Sequence, residues 1–88
     1  MAVKEFEIIN RLGLHARAAA KLVQLAGTFE ADIFVTKDDM EVNGKSIMGI
    51  LMLAAPQGTV ISVRAEGRDA DAALEAIGKL INDKFGED

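Results

Sequence analysis

The sequence predicts an α/β two-layer, open-faced sandwich: a four-stranded antiparallel sheet covered on one face by three helices, in the order β-α-β-β-α-β-α. Three observations carry this reading. Short segments that alternate apolar and polar residues have the period of strands with one face in a core and the other in water. Between them lie segments with apolar residues at helical spacing, so the helices belong on a single face of the sheet. The chain has only 88 residues, which is enough for one domain over 1–88 and no more.

The elements follow in order. Val3 to Ile9 reads as a strand, with Phe6 and Ile8 on one face and Glu5 and Glu7 on the other. Asn10 to Leu14 is a loop containing Gly13. From Ala16 to Ala26, apolar residues at Ala16, Ala19, Ala20, Leu22, Val23 and Ala26 make a helical stripe, and Gly27 stands at the C-cap. Ala31 to Lys37 alternates, Ile33 and Val35 inward and Asp32, Phe34 and Thr36 outward, so Phe34 is expected to be substantially exposed. Asp38-Asp39 turns the chain into a short strand, Met40 to Val42, which Asn43-Gly44 ends. Ser46 precedes a short helix, Ile47 to Leu53, and Pro56-Gln57-Gly58 is a turn. Thr59 to Glu66 alternates with Ile61, Val63 and Ala65 inward. Asp69 caps the last helix, whose inward stripe is Ala70, Ala73, Leu74, Ile77 and Ile81 and which Gly86 closes. The first βαβ unit leaves room for another strand between its two strands, a split βαβ arrangement.

Composition excludes several function classes. Cysteine is absent and histidine occurs once, so a disulfide framework, a thiolate nucleophile and a zinc site all lack their groups. The net charge of −4 argues against general nucleic-acid binding. No apolar run approaches the ~20 residues of a membrane span, and the chain begins directly in a strand-like segment, so a cytoplasmic location is expected. Charge is nevertheless uneven: Asn10 to Gly27 and Val42 to Ala65 contain no carboxylate while holding Arg11, Arg17, Lys21, Lys45 and Arg64. Segments of that kind can present one locally positive face on an acidic protein.

The chemistry centres on Gly13-Leu14-His15-Ala16-Arg17. His15 falls between a glycine-containing loop and a helix start, where the first N–H groups lack intrahelical partners and the helix dipole favours an anion. Arg17 adds a guanidinium whose fork suits phosphate oxygens. A nucleophilic imidazole beside an anion cradle is equipped to accept and release a phosphoryl group. An acid/base enzyme would instead want a concave pocket and a carboxylate orienting the ring, and no Asp or Glu lies near His15 in sequence, although the fold can bring one close. The helix Ile47-Met48-Gly49-Ile50-Leu51-Met52-Leu53 is apolar all round. One side can meet the sheet; the rest reads as an adaptable docking surface. Ser46 has two readings, an N-cap and a site that tolerates a phosphate, and residue chemistry leaves both open.

These segments, together with Asn43-Gly44-Lys45-Ser46-Ile47-Met48-Gly49, closely resemble the HPr family, the histidine phosphocarriers of the bacterial phosphoenolpyruvate-dependent sugar phosphotransferase system. The resemblance runs over the whole chain. It implies a phosphocarrier, not an enzyme, needing no cofactor and acting as a monomer. Enzyme I would phosphorylate Nδ1 of His15, and the group would pass to sugar-specific IIA domains. Arg17 would neutralise phosphoryl oxygens; Ala20, Ile47, Met48 and Leu51 would form the docking surface; and a kinase/phosphorylase would mark Ser46. The paralogous NPr carriers of the nitrogen-related branch are the alternative. One position departs from the family pattern: Ala18 stands where Pro usually follows the Arg, which restores a backbone donor and leaves the helix start less pre-set.

Overall fold

The computed structural model describes residues 2–87. Its elements are β1 (Ala2–Glu7), α1 (Ala16–Ala26), β2 (Asp32–Lys37), β3 (Met40–Asn43), α2 (Ile47–Leu53), β4 (Val60–Glu66) and α3 (Ala70–Asn82), followed by one tight turn, Lys84–Gly86. The strands form one antiparallel sheet in the order β1-β4-β2-β3. β4 lies between β1 and β2, with Phe6 opposite Ile61 on one side and Val35 opposite Val63 on the other, which is the split βαβ arrangement. The inward residues Ile33, Val35, Ile61, Val63 and Ala65 are all buried, and α3 meets them with Ala73, Ile77 and Ile81. Close packing leaves no room for growth at Gly78, where a Cβ would come within 2.8 Å of the Phe6 ring.

Four expectations are corrected. The buried stripe of α1 is Ala18, Ala19, Leu22 and Ala26; Ala16 is exposed and Ala20 and Val23 are only half-buried. Alanines at 16, 18, 19 and 20 offer almost no contrast in hydrophobicity, so an apolar pattern cannot choose the inward face there. The last helix ends at Asn82 instead of being closed by Gly86. Lys84, Phe85 and Gly86 then turn with φ of 56°, 55° and 77°, a left-handed excursion that non-glycine residues rarely make.

Asp69 does occupy the N-cap position of α3, but its carboxylate does not cap that helix. It accepts the N–H groups of Glu30 at 2.9 Å and Ala31 at 2.8 Å, tying α3 to the chain that enters β2. The Glu30 hydrogen bond above all, partly opposed by desolvation, holds the Asp69 carboxyl below its ordinary value of 3.8. Because the folded form prefers the ionised group, this tie stabilises the protein fully above that value and is lost as the pH falls through the lower folded one. Acid denaturation followed by circular dichroism should therefore show Asp69→Asn to be less stable at neutral pH, with a shallower loss of stability below pH ~4.

Phe34 does face outward, but it is half-buried. The Arg64 guanidinium lies over its ring, 4.4 Å from the centroid, and pairs with Glu41 at 3.2 Å and Glu66 at 3.1 Å. An exposed cation–π contact contributes about 0.5–1 kcal/mol, so Phe34→Thr should cost roughly 1 kcal/mol in urea unfolding. A loss of several kcal/mol, as for a core Phe, would contradict this placement.

Candidate functional site

The loop before α1 is fixed from both ends. Asn10 is fully buried, and its Nδ2 donates to the Gly13 carbonyl at 2.8 Å. The Leu14 N–H donates to the Ala55 carbonyl at 2.9 Å. Gly13 takes φ +68°, and a Cβ there would stand 2.6 Å from the Ala55 oxygen, so only glycine fits. This clamp delivers His15 to the N-cap of α1 with extended backbone and no capping hydrogen bond from its side chain. The N–H groups of the first turn are therefore not capped by the His15 side chain.

That cleft, about 660 Å³ and open to solvent, is lined by His15, Ala16 and Arg17 together with Arg11, Leu12, Lys21, Gly86 and Glu87. Three cations from the carboxylate-free segment thus converge around the histidine. Among the described residues Arg17 makes no side-chain hydrogen bond or ion pair, and its guanidinium is exposed.

Sequence reasoning missed a carboxylate here. Glu87 reaches the ring from the far end of the chain: its Oε2 contacts His15 Nε2, and its Oε1 accepts Asn10 Nδ2 at 2.9 Å. Lys21 holds the same segment, Nζ donating to the Phe85 carbonyl at 2.6 Å. The Asn10 hydrogen bond chiefly, with those from His15 and the charge of Arg17, keeps the Glu87 carboxyl below its usual range despite some desolvation. Glu87 is therefore ionised at neutral pH. The one hint in the sequence was Phe85, a large apolar residue beyond the last helix that needed somewhere to be buried.

The second candidate surface lies on α2, which packs against α1. Ser46 is its N-cap, accepting the Gly49 N–H at 3.1 Å. Ile50 and Leu53 are buried, whereas Ile47, Met48, Leu51 and Met52 are exposed, Met48 to 67%. The helix expected to be half-covered is half-covered. Lys37 Nζ donates to the Leu53 carbonyl at 3.1 Å, closing the C-terminal end of α2. Among the described residues no cluster of His, Asp and Glu is built to hold a metal ion, and no helix is long and apolar enough to cross a membrane.

A sheet with one open face, and one histidine at a helix N-terminus among cations, define a small protein organised around a single imidazole in a cationic cleft. Residues 2–83 match the family described as "PTS HPr component phosphorylation site", and the chain belongs to that family of phosphotransferase-system phosphocarriers. The phosphocarrier protein HPr of Neisseria meningitidis serogroup A is 53% identical over 87 residues, 99% of this chain and 98% of that one. The crystal structure of HPr-C-His from Thermoanaerobacter tengcongensis superposes with a TM-score of 0.97 at 49% identity, covering 100% of this chain and 99% of the other. The phosphocarrier protein NPr of Shewanella violacea is also similar, at 44% identity over 96% of this chain and 92% of that protein. HPr proteins are the better-supported relatives.

Proposed function

We propose that this chain is a sugar-branch phosphocarrier that accepts a phosphoryl group on His15 from phospho-enzyme I and passes it to IIA domains. One observation carries the reading most: the imidazole sits at the N-terminus of α1, in a cleft lined by Arg11, Arg17 and Lys21. Transfer between nitrogen atoms asks little covalent chemistry of the protein beyond position and stabilisation of equatorial oxygens. The first-turn N–H groups and Arg17 supply that stabilisation. Ala20, Ile47, Met48 and Leu51 form the docking surface, and the carrier acts as a monomeric cytoplasmic domain of 88 residues. Incubation with phosphoenolpyruvate and enzyme I, followed by mass spectrometry, should find an acid-labile phosphate on His15 alone.

The Glu87 contact also favours a second reading, because it supplies the orienting carboxylate that an acid/base enzyme needs. The same assay separates the two. A carrier retains one phosphoryl group per molecule, whereas a general acid or base retains none.

Ser46 is the regulatory position of this reading, a target for the family's kinase/phosphorylase. A dianion there would sit at the start of the apolar docking helix. Ser46→Asp, titrated against enzyme I by calorimetry at low salt, should bind more weakly through desolvation and like-charge repulsion, while the N-cap hydrogen bond survives. Equal affinity would show that a charge at Ser46 does not act on the docking surface.

A further inference from the structure

We propose that Glu87, held by Asn10, is a positioning residue that keeps the proton of His15 on Nε2 and leaves the lone pair on Nδ1 free for phosphorus. The inference rests on His15 being the phosphoryl acceptor. An ionised carboxylate can only accept hydrogen bonds, so a ring nitrogen in contact with Glu87 Oε2 must carry the hydrogen. The nitrogen left over is Nδ1. Buried Asn10 spends both of its amide hydrogens on this arrangement, one on the loop carbonyl of Gly13 and one on Glu87 Oε1. One side chain therefore fixes both the loop that presents the histidine and the carboxylate that orients its ring. Glu87 lies beyond the 2–83 span over which the family match runs.

The proton at Nε2 then serves both directions of transfer. On acceptance the Nδ1 lone pair forms the N–P bond as the bond from phosphorus to its donor breaks, and the Nε2 proton stays in place. The product ring carries a positive charge whose remaining N–H faces the Glu87 carboxylate. On onward transfer the N–P electrons return to Nδ1 and the neutral ring is restored, again without a proton leaving Nε2. Among the described residues Arg11, Arg17 and Lys21 are the other charged groups lining the cleft, and each opposes a positive ring, so Glu87 is the one of these four that stabilises it.

Nitrogen-15 NMR of the ring tests the proposal directly. In the neutral ring of the unphosphorylated protein, the proton should reside on Nε2 and show a resonance protected from solvent exchange. Glu87→Ala should lose that protection and accept phosphate more slowly, on the order of tenfold, the lower end of what partners orienting a functional imidazole contribute elsewhere. Glu87→Gln keeps an acceptor oxygen and should recover the protected resonance. Backbone amide spectra of the variants report whether the fold is retained. A proton on Nδ1 in the wild type, or an unchanged resonance and rate in Glu87→Ala, overturns the proposal. The ring measurement needs no phosphorylation, so failure of His15 to take phosphate would sink the carrier reading alone, and the proton's position would still decide the role of Glu87.

Discussion

His15→Ala is expected to abolish phosphate acceptance from phospho-enzyme I, because no other histidine exists in the chain to take the group. The loss should be complete within detection, while the protein still folds. The side chain is 29% exposed and lies outside the hydrophobic core, so removing it opens no core cavity. Glu87 would lose one partner but keep Asn10, and it stands beside solvent. Arg17→Ala should act differently. Among the described residues its guanidinium has no partner to lose, so stability should change little, but one donor to the developing charge on phosphorus disappears. Removal of a single oxyanion donor elsewhere costs on the order of a hundredfold in rate, and a similar slowing is expected here. Quench-flow phosphorylation with radiolabelled phosphoenolpyruvate measures both variants. Normal labelling of His15→Ala would show that the site is elsewhere, and an unaffected rate in Arg17→Ala would assign the anion cradle to the backbone alone.

What was legible in the sequence follows what is local. The strands alternate because one face is wet, so Ile33, Val35, Ile61, Val63 and Ala65 were placed correctly from a period of two. Ser46 before an apolar run announced the N-cap that Gly49 completes. His15 and Arg17 stand two residues apart at a helix start, so their meeting needed no knowledge of the fold. The failures are of other kinds. Four alanines within α1 carry no directional signal, and Ala18, not Ala16, turned out to face the core. Asp69 is a good N-cap residue type, but two N–H groups from a distant part of the chain outcompeted its own helix. Glu87 is 72 positions from His15, and only the path of the chain after α3 brings them together. Gly86 is the only signal in that path, and it reads as closing the helix because Lys84 and Phe85 are residue types that disfavour the left-handed backbone they adopt.

The same path yields the largest stability effect. Phe85→Ala is expected to cost about 3–5 kcal/mol, the usual range for removing a fully buried aromatic ring. Phe85 is 0% exposed and has a left-handed backbone, as do its two neighbours in the turn. Such a turn is unfavourable for L-residues by roughly 1–2 kcal/mol for each one, so it persists only where something outweighs it. Burial of the ring and the 2.6 Å hydrogen bond from Lys21 to the Phe85 carbonyl are the contacts that do so. Alanine keeps the strained backbone and forfeits the burial. Thermal denaturation should accordingly fall by more than about 10 °C, given the small unfolding entropy of a domain this size. The segment itself should loosen before the whole protein melts, because without the ring nothing apolar anchors it. Glu87 would then leave His15 well below the unfolding temperature, and hydrogen exchange at Gly86 and Glu87 should rise ahead of exchange in β4. Simultaneous loss of protection in both places would mean that the turn is an integral part of the core; a stability change below about 1 kcal/mol would mean that Phe85 does not anchor it at all.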